Sequence, residues 1–486
     1  MTLADFIFKD KKNRFYFWLA IGLNVVGFIY FKSYWFQPAN FSYSTSGLIQ
    51  EAASNASVGL WPIGYAKVLW FFHLMTHSDT VVVAFQYFFL IGVLLYFFFT
   101  LHYFYTFAKN SFLLLFVFLF FDPIFLYLAN YITADALFTG VSLLWFTQLI
   151  WIIHRPQPYQ VFAQAILLFV AFTLSYQAAW YPLIALGAFA LSRQPIKWKI
   201  TGVVLPLLLM GVFVLFTREA NFRETGVRRF SVFSAWREAN DALFLYPHVE
   251  MNRSQIPAEF LALDDTIHAF FEKSSPKLKT LAPVNGFYYL EIPKTPLQLY
   301  LCQRNDLKRP VIDYKRWSSV SDLYSDYAHF LIDSYPWAYS QYFLLSNTGE
   351  YLWPRIDKVA TYNMEQDTID AATRAWFHYN IKNYDNHDRG MAETMMGAFS
   401  FFFTVVNVAF VAGFVWVLVV RARRRGYHDL FYGLALSTVL LLVNAIGNIC
   451  YSPVVLESLL VSMIVLFGYT LLMYDVVEKR YKTKAP

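Results

Sequence analysis

The sequence predicts an all-α polytopic membrane protein with about ten transmembrane helices and a mostly helical external domain inserted before the last three of them. Hydrophobic residues make up 57% of the 486 residues and aromatic residues 20%, whereas charged residues make up only 15%. This composition lies well outside that of a soluble globular domain. The apolar residues are gathered in long runs, and most of the charge lies between those runs.

Ten apolar runs are long enough to be membrane spans. A bilayer core of about 30 Å requires about 20 helical residues, so apolar runs of roughly 15–25 residues are taken as candidate spans. No small-residue cleavage site follows the first run, which is therefore predicted to be an uncleaved span. The predicted spans are residues 15–31, 81–104, 112–128, 134–153, 161–174, 178–191, 200–216, 401–420, 430–446 and 454–474.

The distribution of basic residues tests this number of spans. Residues 218–396 carry 20 basic and 23 acidic side chains, and the rest of the chain carries 19 basic and 10 acidic ones. Lys and Arg collect in the cytoplasmic loops of membrane proteins. With a cytoplasmic N-terminus, 17 of those 19 basic residues fall on the cytoplasmic side, and only Lys32 and Lys67 fall on the other. We therefore predict that both termini are cytoplasmic.

This topology divides the chain into three parts. Residues 1–217 form an N-terminal transmembrane module with a first external loop at 34–78, residues 218–396 form the external domain, and residues 397–486 form the last helices and a basic tail. No basic stripe accompanies a groove-binding motif, so the sequence predicts no nucleic-acid partner. The two cysteines, Cys302 and Cys450, lie in segments of different character and indicate neither a disulfide framework nor a cysteine metal site.

Several stretches carry a resemblance to a known family. They are WPIGY at 61–65, YITADALF at 131–138, SYQAAWYPL at 175–183, FSAWREANDALFLYPHV from Phe233 and YPWAYSQYFLLSNTGEYLWP from Tyr335. With the order of spans and loops, they resemble the GT-C superfamily of integral-membrane glycosyltransferases, in a Bacteroidota branch. The resemblance implies a GT-C-like bundle in the bacterial inner membrane, a periplasmic domain, and a polyprenyl-phosphate-linked sugar as donor. It places the active site between the first loop and that domain.

Two positions depart from the pattern of active family members. Those enzymes carry Asp or Asp-Glu early in the first loop, whereas residues 42–45 here are Ser-Tyr-Ser-Thr and no carboxylate precedes Glu51. Ser175 stands where related proteins often have Arg. A hydroxyl does not replace a carboxylate base unless another group activates it. Two functions therefore stay open: a glycosyltransferase, and a catalytically inactive GT-C-fold subunit that acts as scaffold or assembly factor in a cell-envelope complex.

A transporter is the third class considered. Transport requires ionisable residues inside the spans and usually a repeat symmetry between halves. The predicted spans carry few ionisable residues, and no repeat between the two halves is evident. The sequence therefore favours the two GT-C functions over transport.

Asp135 and Glu51 are the candidate catalytic residues. Asp135 lies at the start of a predicted span, where an ionisable group is unfavourable unless it is paired or functional. It either organises an acceptor or a metal, or it stabilises the N-terminus of the helix that begins near Ala134. Glu51 lies in a predicted amphipathic helix and either acts as a base or faces solvent or lipid headgroups. Asp122, before Pro123, is interpreted as a helix-capping residue.

The candidate substrate-binding residues are Trp61 and Tyr65 of the WPIGY turn and Arg237, Glu238 and Asp241 of the WREAND segment. An arginine can bind a phosphate through two parallel hydrogen bonds. Internal ion pairing of these charged residues is the alternative interpretation.

His73 and His77 are the candidate metal ligands. They are four residues apart, so one helix face could present both imidazoles to a divalent cation. The sequence identifies no third ligand, and hydrogen bonding without a metal is the alternative. Beyond this divalent metal, the sequence indicates no cofactor.

Overall fold

The structure is a computed structural model. Its regular elements are all helices in the described residues, apart from two isolated bridges. Those bridges join Asn40 to Tyr131 and Arg355 to Val455. This arrangement confirms the predicted all-α class. The structure describes residues 1–34, 38–275, 286, 288–292, 294–308, 313–356, 363, 368–380, 396–423, 428–451 and 453–482.

Eleven helices precede the predicted external domain in the described residues. They are α1 Leu3–Lys9, α2 Lys11–Tyr34, α3 Tyr43–Ala53, α4 Ile63–His73, α5 Asp79–Tyr105, α6 Lys109–Phe120, α7 Ile124–Ala129, α8 Asp135–His154, α9 Pro158–Leu174, α10 Tyr181–Leu191 and α11 Ile196–Thr225. A 3₁₀ helix, Tyr176–Trp180, joins α9 to α10. Pro123 interrupts the third predicted span and separates α6 from α7, because proline cannot donate the next helical hydrogen bond.

The rest of the described chain forms eleven more helices. They are α12 Val232–Leu243, α13 Leu261–Lys273, α14 Tyr288–Glu291, α15 Pro296–Arg304, α16 Tyr314–Ser334, α17 Pro336–Tyr339, α18 Leu345–Leu352, α19 Ala371–Trp376, α20 Ala398–Arg423, α21 His428–Ile449 and α22 Leu456–Lys482. A π-helical turn, Ser340–Leu344, joins α17 to α18. Short 3₁₀ helices occur at Tyr246–His248 and Arg253–Gln255.

Eight helical segments among the described residues are long and apolar enough to cross a membrane. They are Lys11–Tyr34, Asp79–Tyr105, Lys109–Ala129, Asp135–His154, Ile196–Thr225, Ala398–Val419, Leu430–Ile449 and Leu456–Glu478. The other two predicted spans correspond to α9, with 17 residues, and α10, with 11. Both are shorter than the roughly 20 residues that a full crossing requires. The protein is therefore a polytopic membrane protein with eight candidate spans and a short helical pair.

One end of the helical bundle, here called the terminal end, gathers the N-terminus and several basic connections. The Met1 carbonyl accepts a hydrogen bond from Arg155 at 3.2 Å. Because Gln194 donates to the Gln157 carbonyl at 3.3 Å, the chain returns after α10 to the end from which α9 starts. The Ala108 N–H donates to Asp475 at 2.7 Å, so α22 also finishes here.

The opposite end, here called the domain end, carries the first loop and the segment predicted to be external. Asn40 and Tyr131 form a parallel bridge there. The buried Lys32 side chain donates to Asn130 Oδ1 at 3.1 Å and lies 3.8 Å from an Asp79 carboxylate oxygen. Asp79 in turn accepts the Ala39 N–H at 2.7 Å. These bonds tie the start of the first loop to three membrane helices.

The segment after α11 has a hydrophobic core of its own. Val232, Trp236, Ala239 and Leu243 recur at helical spacing on α12, and all are buried. The Trp236 ring stacks on Trp317 of α16 with a centroid distance of 4.1 Å. The first loop contributes to this core, since Leu60 is buried among its side chains and Trp61 packs against it.

The predicted boundary between membrane module and external domain falls inside a helix. The sequence predicts a division between residues 217 and 218, whereas α11 continues without interruption to Thr225 and ends at Gly226, whose φ of +79° suits glycine. The apolar run that defines a span therefore ends before the helix does. Residues 381–395, at the end of the predicted domain, and residues 35–37 of the predicted first loop lie outside the described residues.

Candidate functional site

A cavity of about 380 Å³ lies at the domain end, where membrane helices meet the segment after α11. Its lining residues come from four segments, within residues 60–62, 175–184, 231–238 and 440–453. Three of these segments belong to the motifs that carry the family resemblance: the WPIGY turn, SYQAAWYPL and FSAWREAND. The tertiary structure thus brings together stretches that lie far apart in the chain.

A second cavity of about 370 Å³ lies between α1, α2 and α5. Its lining is almost wholly apolar, including Ile7, Phe17, Ile91 and Phe99, and it contains no charged side chain. A site for a polar or charged ligand needs convergent polar groups in addition to apolar walls. The cavity at the domain end meets this requirement, and the second cavity does not.

The WPIGY turn forms one wall of the domain-end cavity, and close packing on α3 holds it in place. The Trp61 ring lies against Gly47, where a Cβ atom would come within 2.1 Å of a ring carbon. Only glycine at position 47 leaves room for this contact. On its other side Trp61 contacts Phe233 of α12, with a centroid distance of 6.3 Å. The predicted role of Trp61 at a ligand site is therefore compatible with its position.

Arg237 is the charged group of the cavity that is available to a ligand. It lies on α12, opposite the face that packs in the core, and its guanidinium carbon is 4.3 Å from the Tyr451 ring centroid. No hydrogen bond or ion pair of its side chain occurs within the described residues. Burial lowers the pKa of Arg237, and the neighbouring Asp241 acts against this effect. An arginine remains charged under such shifts, so the lining carries one cationic group, Arg237, beside the Glu238 carboxylate.

Glu238 and Asp241, the other two charged residues of the WREAND segment, each have a hydrogen-bond partner, and both also act electrostatically on Arg237. Glu238 lies in the cavity wall, but its carboxylate is 3.5 Å from an Arg229 nitrogen and accepts a hydrogen bond from Ser325. Asp241 is buried and accepts from Asn240 at 3.1 Å. Internal pairing therefore describes Glu238, while Arg237 lines the same cavity without an ion pair within the described residues.

Apart from Ser175, which lines the cavity at the position where related proteins often have Arg, the remaining polar lining was not identified from the sequence. Asn444 and Asn448 lie on α21, one turn apart, and the buried Oδ1 of Asn444 has no hydrogen-bond partner in the part of the chain that the structure describes. Gln177, Ser231 and Ser234 add further polar groups. The sequence does show two asparagines in a largely apolar predicted span. They could have indicated this site, because polar residues inside spans tend to be functional.

Glu51 lies behind the cavity wall rather than in it. Its Oε1 accepts the Leu60 N–H at 2.8 Å, and Leu60 and Trp61 separate it from the cavity. The other oxygen, Oε2, is buried and makes no hydrogen bond of normal geometry with the described residues. Burial raises the pKa of Glu51 to about 8, although the N–H groups of Leu60 and Trp61 act to lower it. At neutral pH the carboxyl is mostly protonated.

Asp135 and Tyr65 lie outside the cavity lining. Asp135 is the first residue of α8, where the helix dipole favours a negative charge, and it accepts a hydrogen bond from Thr133 at 2.7 Å. The Tyr65 side chain is fully buried and donates to Gln86 at 2.7 Å. The structure therefore does not bring Asp135 and Arg237 into one cavity. The catalytic role of Asp135 and the substrate-binding role of Tyr65 stay predictions.

His73 and His77 are brought together, but their rings do not converge as metal ligands do. Their ring centroids are 4.5 Å apart at nearly right angles, while His77 stacks on His378 and His73 stacks on Trp376. Among the described residues no group of three or more His, Cys, Asp or Glu side chains is arranged to hold a metal. Burial lowers the pKa of His73, as do the two neighbouring histidines. The described residues supply no third ligand for His73 and His77, and their predicted role as metal ligands stays a prediction.

Asp122 fulfils its predicted capping role. Its carboxylate accepts the Ile124 N–H at 3.0 Å, at the start of α7. This bond satisfies a backbone donor that the break at Pro123 leaves without a helical partner.

The fold and the cavity define a class of protein rather than a family. The chain is a helical, multi-pass membrane protein with a partly polar cavity where the membrane helices meet the segment after α11. Comparisons with protein-family models, curated proteins and solved structures give no match. The resemblance to the GT-C superfamily therefore rests on the motifs and on the order of spans and loops, and it stays a prediction.

Proposed function

We propose that the protein is a GT-C-type membrane glycosyltransferase that moves a sugar from a polyprenyl-phosphate carrier to an acceptor on the periplasmic face of the bacterial inner membrane. The proposal includes ten crossings, with α9 and α10 as short ones, cytoplasmic termini and a periplasmic domain. The observation that carries it is the Arg237 guanidinium in a cavity whose other wall is formed by membrane helices.

The cavity suits a ligand with an anionic head and an apolar chain. Leu440 and Val443 of α21 and Ile184 of α10 supply apolar surface from helices within the bundle. Arg237 supplies the charge for a phosphate, through charge-assisted hydrogen bonds that a partly desolvated site strengthens. In this proposal the sugar hydroxyls lie against Asn444 and Ser234. One hydroxyl donates a hydrogen bond to the Asn444 Oδ1, which has no partner among the described residues.

The alternative proposal is a catalytically inactive GT-C-fold subunit that binds the same lipid and acts as a scaffold or assembly factor. One observation favours it. The carboxylate in the cavity wall, Glu238, is engaged by Arg229 and Ser325, and Glu51 is separated from the cavity by Leu60 and Trp61. A base must come within hydrogen-bond reach of the proton that it takes. Neither carboxylate meets this condition in the described arrangement.

Lipid binding is tested first, with the full chain in nanodiscs and undecaprenyl phosphate as the probe. Replacing Arg237 by Gln removes the charge at similar size. Loss of a charge-assisted hydrogen bond of about 1.5–3 kcal/mol weakens binding roughly 10- to 100-fold. Arg253→Gln is the matched control, because Arg253 pairs with Asp265 on the exposed surface away from the cavity lining. Equal affinities of the wild-type and Arg237→Gln proteins would contradict the proposal.

Sugar transfer then separates the two functions. Radiolabelled polyprenyl-phosphate sugars are incubated with the wild type and with Asp135→Asn and Glu51→Gln. Transfer that both variants retain at the wild-type rate excludes these carboxyl groups as catalytic. Binding to the Arg237 site without transfer of any donor supports the inactive subunit.

A further inference from the structure

One helical rod at the domain end presents an uncharged apolar face that the cavity does not use. The rod consists of residues 336–352, that is, α17, the π-helical turn and α18. Its sequence, PWAYSQYFLLSNTGEYL, contains one charged residue, Glu350. The helices before it carry many charges, so this rod has a distinct composition.

The inner face of the rod packs on both the segment after α11 and the membrane helices. Phe343 is fully buried and contacts Phe244, with a centroid distance of 6.3 Å. Asn347 donates to the carbonyl of Ile449, the last residue of α21, at 3.0 Å. Tyr351 contacts Phe403 of α20 edge-on, with a centroid distance of 5.7 Å. The rod is therefore held against the ends of two candidate spans.

The end of the rod establishes its height relative to the membrane. The Leu352 carbonyl accepts a hydrogen bond from Thr404, and the Pro354 carbonyl accepts one from Ser400 at 2.6 Å, both near the start of α20. The Leu456 N–H, at the start of α22, donates to the Arg355 carbonyl at 2.9 Å. Since spans begin and finish at the bilayer surface, these bonds place the rod at that level.

The outer face of the rod is exposed and carries no charged side chain, and it is apolar except at Gln341. Trp337 is 79% exposed, Leu345 67% and Leu352 53%, and the adjoining Trp353 is 56% exposed. Leu345 lies eight residues after Trp337, and Leu352 lies seven residues after Leu345. Each interval is about two helical turns, which places the three side chains on one side of the rod. Trp353 also contacts Phe401, itself exposed on the outer side of α20, with a centroid distance of 6.1 Å. The outer face thus continues into the lipid-facing surface of a span.

We propose that residues 336–353 form an interfacial anchor that lies in the boundary between lipid headgroups and acyl chains at the domain end. An amphipathic helix with tryptophans on its apolar face binds a lipid surface by burying that face beneath the headgroups. The inner face packs on the segment that carries Arg237, so the anchor holds one cavity wall against the bilayer. This inference does not depend on sugar transfer.

The test places an environment-sensitive NBD probe at single cysteines in a Cys302→Ser/Cys450→Ser background, reconstituted in liposomes. Leu345→Cys reports on the rod. Val408→Cys, on the exposed side of α20, is the lipid control, and Asp265→Cys, exposed on α13, is the aqueous control. Each probe is quenched either by doxyl-labelled lipid or by iodide in solution.

Doxyl lipid is expected to quench the probe at position 345, as it quenches the lipid control at position 408, and this probe should resist iodide several-fold better than the probe at position 265. Shallow doxyl positions should quench it more strongly than deep ones, because the rod lies in the interface rather than across the bilayer. Iodide quenching equal to that at position 265 would overturn the proposal. Protection from both quenchers would also overturn it, since another protein surface and not lipid would then cover the rod.

Discussion

At Glu51, the removal of water from the carboxyl outweighs the hydrogen bond that it accepts from Leu60. The result is a pKa of about 8 for a group whose ordinary value is 4.5. Arg237 is also partly desolvated, yet it keeps its charge because a guanidinium group loses its proton only far above neutral pH. The same physical effect therefore neutralises one candidate residue and leaves the other as the charged group of the cavity.

The Glu51 carboxyl makes stability depend on pH. The folded state holds its proton up to about pH 8, whereas the unfolded chain releases it near pH 4.5. The folded state binds more protons in that window, so stability falls as pH rises through it. Glu51→Gln mimics the protonated carboxyl and should raise the melting temperature relative to the wild type at pH 8.5 but not at pH 4.5.

Thermal unfolding of the two proteins in detergent at both pH values measures this difference. Glu259→Gln is the control, because Glu259 is exposed on the surface. A Glu51→Gln variant that gains nothing at pH 8.5 would show that the carboxyl is solvated in the folded protein.

At the residue scale, the sequence identifies Trp61 and Arg237 but not their partners. Tryptophan in a turn and arginine on a predicted helix are visible in the chain. That Gly47 makes room for Trp61, or that Tyr451 lies beneath Arg237, depends on contacts between different segments of the chain. Likewise, the burial that protonates Glu51 comes from the turn at residues 60–61, which local sequence does not reveal.

Among the elements, α9 and α10 depart furthest from the sequence prediction. Both are apolar, yet neither reaches the roughly 20 residues of a full crossing. The connections before α9 and after α10 nevertheless meet at the terminal end through Gln157 and Gln194. The other helices therefore keep the same orientation whether or not α9 and α10 cross the membrane. For this reason the distribution of basic residues does not distinguish ten spans from eight.

The contact between α4 and α9 supplies a test of element packing. A Cβ atom at Gly64 would lie 2.5 Å from the Thr173 carbonyl oxygen, which is backbone and does not rotate away. Gly64→Ala is expected to push the two helices apart and to destabilise the protein by about 1–3 kcal/mol. The thermal unfolding temperature in detergent, followed by tryptophan fluorescence, should fall accordingly.

Gly22→Ala is the matched control, since Gly22 lies in α2 and no atom lies within 4 Å of the position that an added methyl group would take. Alanine is the better helix former, so this change should be neutral or slightly stabilising. Equal melting temperatures for Gly64→Ala and Gly22→Ala would mean that α4 and α9 do not approach each other this closely.

For the whole molecule, the two ends of the bundle differ in charge and in what they carry. Basic connections and the N-terminus meet at the terminal end, and the first loop and the segment after α11 meet at the domain end. The positive-inside rule then assigns the terminal end to the cytoplasm. The contacts support two distinct ends, and the assignment of compartments is a prediction from charge.

Cysteine accessibility tests this assignment. Single cysteines are introduced in the Cys302→Ser/Cys450→Ser background by Ala53→Cys and Asn110→Cys. Ala53 is exposed in the first loop, and Asn110 is exposed at the start of α6. A membrane-impermeant maleimide should label position 53 in intact spheroplasts and position 110 only after lysis. The reverse pattern would invert the topology and place the Arg237 cavity on the cytoplasmic side.

The amino-acid sequence alone was sufficient to predict the helical membrane class, the positions of the eight long spans and the existence of a hydrophilic helical segment. These features depend on local hydrophobicity, helix length and charge, which each stretch of chain carries independently of the others. The tertiary structure decided that Arg237 faces a cavity with Trp61 and Asn444, that Asp135 lies outside its lining, and that His77 stacks on His378. Such outcomes depend on packing between distant segments and on the burial that packing creates.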